Sequence, residues 1–187
     1  MLKWVKGSSG SSSNPRSAWR RAAGHYDVAL TQVESGDTGG SVEGFVNIPL
    51  NDKAAIRLVG YSIREPGYID NVSPDPLRVF PTSGVTLDNS ELRDNNHNEI
   101  QTNGARAALR LDLDDTWTVT PTLTWQSQDA DGSFASDPLL GERKIARYVE
   151  EYNEDEWYQA ALTVEGKIGN FDVIYSGGYL DRSLDNS

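Results

Sequence analysis

The side chains of this sequence that could ligate a cation, move a proton or hold an anion fall into a few separate groups. The stretch DADGSFASD at 129–137 sets Asp129, Asp131 and Asp137 in a turn-rich segment with Ser133 between them. Calcium takes oxygen ligands at this kind of spacing. The EF-hand pattern wants glycine at its sixth position and glutamate at its twelfth, whereas here Gly132 is fourth and Leu140 twelfth. A solvated acidic loop is therefore the favoured reading, with Asp129, Asp131 and Asp137 kept as candidate loop contacts to a cation. The cluster EEYNEDE at 150–156 offers carboxylates of the same kind and reads the same way. Arg57, Arg106, Arg110 and Glu165 fall on the polar phase of alternating runs and are candidates to face a wet interior. The arginines could line a path for an anion, or pair with carboxylates such as Glu43; the structural role is favoured.

No catalytic constellation accompanies these groups, and the chain is not expected to be an enzyme or to hold a cofactor. The tract GSSGSSS lacks the G-x-S-x-G order of a nucleophile elbow, and neither H-E-x-x-H nor a phosphate loop occurs. There is no cysteine, so disulfides, thiol chemistry and Cys-ligated metal are excluded. The two histidines, His25 and His97, exclude a histidine-rich metal centre. His97, inside DNNHNE, reads as an exposed loop residue rather than a base. With 28 acids against 17 bases and a formal net charge of −11, nothing gathers enough Lys and Arg to neutralise phosphates, and nucleic acid is excluded as a partner.

The elements that must position these residues are strands. Tyr26, Val28 and Leu30 alternate with Asp27, Ala29 and Thr31. Val42, Gly44, Val46 and Ile48 alternate with Glu43, Phe45 and Asn47, and Pro49, which has no N–H for the ladder, is read as the end of that run. Ile56, Leu58 and Gly60 oppose Arg57, Val59 and Tyr61; Ala105, Ala107, Leu109 and Leu111 oppose Arg106, Ala108, Arg110 and Asp112. The cleanest run sets Trp117, Val119, Pro121, Leu123 and Trp125 against Thr118, Thr120, Thr122, Thr124 and Gln126. Two further runs, over 156–167 and 171–180, complete about seven strands. Such period-two alternation gives each strand two different environments. PLNDK, LDDT and KIGN are tight connections, whereas 64–99 and 129–155 are long polar loops. Loops beyond about 12–15 residues are usually functional or disordered.

Tight connections at one end and long ones at the other describe an up-and-down transmembrane barrel. Its apolar faces, with Trp117, Val119, Leu123 and Trp125, would meet lipid. No apolar run approaches the roughly 20 residues of a membrane helix, but a lipid-spanning strand needs only about 9–11. A soluble β-sandwich that binds carbohydrate or peptide produces the same alternation by burying its apolar face against a second sheet, and on pattern alone the two stand level. Residues 1–23 carry a Gly/Ser tract typical of a flexible linker and lack the apolar core of a secretory signal. They are set apart from a strand domain over 24–187 as a flexible or non-native segment.

The stretch GFVNIPLNDKAAIRLVGYSIREPGYIDNV resembles the early barrel region of TonB-dependent outer-membrane receptors, more narrowly the group found in sphingomonads and related proteobacteria. The matching elements are NIPL at 47–50, Asp52, IRLVGY at 56–61 and GYIDNV at 67–72. GARAALR at 104–110 and WTVTPTLTWQ at 117–126 resemble the next hairpin, and DPLLGE with ARYVEEYNED the following outer loop. The likeness spans roughly residues 25–180 in the family's order. It implies an all-β, antiparallel, incomplete segment of a barrel of about 22 strands closed around a plug domain. It also implies long loops outside the cell and short turns in the periplasm. The family imports bulky nutrients such as iron-siderophore complexes, with energy delivered to the plug by the TonB complex. The expected setting is the outer membrane, with its lipid and a bulky small-molecule ligand as partners. Plug, coupling box and most of the wall are expected elsewhere in a longer parent, so this chain alone is expected to transport nothing.

Overall fold

The computed structural model describes residues 19–34, 36–79 and 82–187. Its main element is a seven-stranded antiparallel sheet. The strands are β1 (Ala23–Gln32), β2 (Thr38–Asn51), β3 (Ala54–Glu65), β5 (Ile100–Asp112), β6 (Thr118–Asp131), β8 (Tyr152–Ile168) and β9 (Phe171–Asn186). Each pairs with the next in that order, so the sheet is an up-and-down meander, open, with β1 and β9 at its edges. The two remaining strands, β4 (Asp70–Asn71) and β7 (Lys144–Ile145), pair in parallel and lie in the two long loops.

Local chemistry sets the connections. At the tight end, Asn51 Oδ1 accepts a hydrogen bond from Lys53 N at 2.8 Å, closing the β2–β3 turn. Asp114 Oδ1 accepts from the amides of Thr116 and Trp117 at 2.7 and 2.8 Å, closing β5–β6. Gly169, at φ +60°, takes the left-handed step of the β8–β9 turn, a conformation open to glycine without a Cβ penalty. At the other end lie 33–37, 66–99 and 132–151.

One proline behaves differently from the sequence expectation. Pro49 does not end β2: the strand runs on to Asn51 through a register shift between Pro49 and Asn51. Pro121 sits in a central strand rather than at an edge. Its ladder to β8 continues, with Pro121 opposite Leu162, while the ladder to β5 breaks between Thr122 and Val119. The missing N–H is absorbed on one side only.

The strands also outrun the sequence estimate. Asp129 and Asp131 belong to β6, and β8 begins at Tyr152. A backbone ladder does not require apolar side chains, so pairing continues into the acidic stretches. Residues 1–18, with the Gly/Ser tract, lie outside the described residues. Residues 19–22 lie against the sheet, where Asn47 Nδ2 donates to the carbonyls of Trp19 and Arg21 at 3.0 and 2.7 Å.

Candidate functional site

The register turns the alternation of single strands into two continuous faces. Residues directly opposite across an antiparallel pair point the same way. One face carries Val46, Leu58, Ala107, Leu123, Ala160 and Tyr179, each opposite the next. This face is open: Leu123 is 64% exposed, Tyr179 68% and Phe171 77%. On β3, β5, β6, β8 and β9 its polarity changes at one height, whereas on β1 and β2 the same row is Val28 and Val42. Ser62, Asn103, Ser127, Glu156 and Ser183 form a polar row, each opposite the next. One row below, Trp125 stands opposite Tyr158. Trp125 Nε1 and Tyr158 OH both donate to Glu156 Oε1 at 2.8 Å. Two aromatic rings thus stay on the apolar side and send their polar tips to the polar row. From there the apolar stretch continues to Ile168 and Phe171 at the tight turn. Between Leu58, Leu123, Trp125, Tyr158 and Tyr179, the small Ala105, Ala107 and Ala160 floor a shallow groove of about 540 Å³.

Of the residues expected to face lipid, Val119, Leu123 and Trp125 lie on this face. Trp117 precedes β6 and covers Gly166, where an added Cβ would fall 2.2 Å from Trp117 Cε3.

The opposite face is polar. Arg57, Arg106, Arg110 and Glu165 all lie on it, in different surroundings. Arg110 is 8% exposed; its Nε donates to Asp112 Oδ1 at 3.1 Å and its Nη2 to Thr118 Oγ1 at 3.2 Å. It is a structural residue, paired with Asp112 rather than with Glu43. Arg57 stacks its guanidinium 4.0 Å over the ring of Phe45. Arg106 is exposed and has no ion pair among the described residues. Glu165 stands opposite Thr118 and Ile174. Along the same face Tyr61 OH donates to Gln126 Oε1 at 2.7 Å across Gly104, whose missing side chain makes room for the ring.

Above the polar row, loops 66–99 and 132–151 fold into a cap. Its interior is made of asparagines that serve the backbone. Asn98 Oδ1 accepts from the amides of Tyr68 and Ile69, both at 2.8 Å. Asn71 Nδ2 donates to Leu92 O at 2.6 Å while its Oδ1 accepts from Arg147 N at 2.8 Å. Asn89 Nδ2 donates to Val72 O and Arg147 O at 3.0 and 2.9 Å. Arg64 ties the cap to the sheet through Glu99 at 2.6 Å and Asp37 at 3.0 Å, and Arg143 donates to Glu34 O.

The candidate cation contacts are not brought together. Asp137 is held by Arg78 at 2.8 Å, and Asp129 accepts from Ser127. Burial, reinforced by Glu99, raises the carboxyl of Asp131 above the usual range. Among the described residues no three acidic or histidine side chains form a metal-binding group. The EEYNEDE carboxylates are likewise divided: Glu151 goes to Arg147, Asp155 to Arg182, and Glu156 to Trp125 and Tyr158. His97 is not an exposed loop residue. Its side chain is 14% exposed and packs against Gly132, where an added Cβ would lie 2.3 Å from the ring. Sequence reasoning missed Asn71, Asn89 and Asn98; the asparagine-rich DNNHNE at 94–99 was a visible signal for Asn98 alone. It also missed the Phe45–Arg57 stack, signalled by an aromatic residue on a polar phase.

Compared with known protein families, curated proteins and solved structures, the chain matches none.

Proposed function

We propose that this chain forms part of the wall of an outer-membrane TonB-dependent receptor, and that its parent imports a bulky nutrient such as an iron-siderophore complex. One observation carries the reading: on β3, β5, β6, β8 and β9 the apolar face ends in a polar row, with Trp125 and Tyr158 at the boundary pointing their polar atoms into it. Aromatic residues with one apolar and one wet end concentrate at membrane interfaces. The stretch from Tyr158 to Ile168 also suits the roughly 9–11 residues of a tilted lipid-spanning strand. The polar face then looks into the barrel, the cap stands outside the cell, and the tight turns face the periplasm, where the plug and the TonB complex act. A sandwich-type binding module needs a second sheet over the apolar face, and the described residues supply none.

The edges of β1 and β9 are open. Unpaired backbone groups in lipid cost several kcal/mol each, so the wall works only when further strands pair with it. Sequencing the DNA on both sides of this reading frame tests the proposal. A plug-coding region upstream and further alternating strands downstream are the expected result. Monomeric, cooperative folding in water without detergent, combined with flanking DNA that encodes neither, overturns it.

A further inference from the structure

The polar face holds two arginines on neighbouring strands that have no carboxylate partner among the described residues, in a chain whose net charge is −11. Among the strand arginines, Arg64, Arg110 and Arg182 each pair with an acid. Among the described residues Arg57 and Arg106 do not, although acids outnumber bases 28 to 17. Arg57 lies opposite Ala108, and Arg106 is two residues along the same strand, opposite Val59. Such diagonal neighbours are separated by roughly 7–8 Å. The row of Arg106 runs Phe45, Val59, Arg106, Thr124. Arg57 leans onto Phe45, so its guanidinium and the position of Arg106 lie on either side of Val59. Thr122 and Thr124 add hydroxyl groups on the next strand, opposite Ala108 and Arg106.

Like charges placed together repel unless something neutralises them. Guanidinium groups match carboxylate, phosphate and sulfate oxygens with two parallel N–H donors. The stacking on Phe45 holds one of the two heads in place before any ligand arrives. The geometry points to a subsite over Val59 in which Arg57 and Arg106, assisted by Thr122 and Thr124, bind a small anionic group, a carboxylate, phosphate or sulfate, carried by a solute. A small anion suits this subsite better than an acidic polypeptide. In the next row Asp27 and Glu43 stand opposite each other, and they would repel an extended run of acids. The inference rests on the reading of this face as water-filled, and it narrows the transported solute to one bearing an anionic group.

The test uses the full chain in maltoside micelles, which contain no phosphate, with strand content checked first by circular dichroism. Inorganic sulfate is titrated at constant ionic strength against chloride, and the Nε–H resonances of the arginines are followed. Saturable shifts at Arg57 and Arg106 are expected, with R57Q/R106Q weakening the affinity at least tenfold and Arg182→Gln leaving it unchanged. If the double variant misfolds, R57Q and R106Q are measured singly, each expected to weaken binding several-fold. The subsite is overturned if sulfate acts no differently from chloride, if the Arg57 and Arg106 variants bind like the parent chain, or if Arg182→Gln weakens binding equally. A glutamate-rich peptide that binds more tightly than sulfate overturns the assignment to a small anion. Monomeric, cooperative folding in water without detergent, with flanking DNA that encodes neither plug nor further strands, overturns the wall reading itself; a chain folded in micelles without a sulfate response overturns only the subsite.

Discussion

The seven-stranded wall and the loop cap are built on opposite principles. The wall takes its order from continuous backbone ladders and leaves its largest apolar side chains open, Leu123 at 64% and Phe171 at 77%. In the cap, two long loops bury Ile69, Asn89 and Asn98 to 2% exposure. Each of those asparagines satisfies backbone groups that no ladder reaches. The cap thus carries its own interior in water. The wall satisfies its backbone but not its apolar face, and an open apolar surface of this kind marks a site of interaction. The contrast teaches that strand content alone does not locate the core of this molecule: its most buried side chains lie where regular structure is sparsest.

The strongest way to break this comparison is to charge the open face. Val119→Arg, opposite Val164 near the middle of the Tyr158–Ile168 stretch, is expected to cost about 2–4 kcal/mol of lipid-dependent folding stability, the range for a cation at mid-membrane depth. Thr120→Arg, on the polar face, is expected to change little. Urea titrations of the chain folded into vesicles measure both. Equal costs remove the distinction between the faces.

The cap is tested by backbone crowding. A Cβ at Gly67 would fall 1.8 Å from Asn96 O, a main-chain atom. A Cβ at Gly104 in the wall would meet the side chain of Tyr61 first, at 2.2 Å. Overpacking typically costs about 1–3 kcal/mol. Gly67→Ala is expected at the upper end, because backbone must move, and Gly104→Ala at the lower end, because Tyr61 can swing aside. Hydrogen exchange separates the two: Gly67→Ala speeds exchange in 66–99 and leaves the ladder of β5 and β6 protected. The comparison sharpens further with Asn98→Ala, which leaves the amides of Tyr68 and Ile69 without their acceptor. An unmet buried N–H costs about 1–3 kcal/mol. A loss of about 2 kcal/mol in cap opening is expected after relaxation, read as faster exchange at Ile69 with unchanged strand signal.

The wall was legible in the sequence because alternation is a local signal: Val119 to Trp125 against Thr118 to Gln126 announces both faces without reference to any other strand. The cap was not. Asn98 serves an amide 30 positions away, Asn89 a carbonyl 58 away, and Asn71 an amide 76 away. Nothing within a loop's own sequence marks an asparagine as interior rather than solvated, and β4 and β7 are too short to carry a period. Of the candidate site residues, the face of Arg57, Arg106 and Arg110 followed from alternation. Their differing fates did not, because Asp112 reaches back to Arg110 across two positions of the same strand, a pairing that alternation alone does not single out.

The smallest expected effect lies at the tight end, where the wall is closed by side-chain chemistry of the kind the cap uses. Asp114 Oδ1 accepts from Thr116 Oγ1 at 2.7 Å as well as from the amides of Thr116 and Trp117. The hydroxyl of Thr116 first, and then the two amides, favour the ionised carboxylate and hold its pKa below the ordinary aspartate value. The sign follows from linkage. With the folded value depressed, the contribution of these bonds is complete above the unfolded pKa and is lost as pH falls through the folded one. Acidification is therefore expected to loosen this turn only below the normal aspartate range. The amide resonances of Thr116 and Trp117 in micelles should titrate with that low midpoint. Asp114→Asn keeps an oxygen acceptor and should abolish the titration while preserving the turn, whereas Asp114→Ala removes all three bonds and should broaden both amides at every pH. A midpoint at the ordinary aspartate value would mean that the carboxylate is not held in this turn, and that the tight end is shaped by the ladder alone.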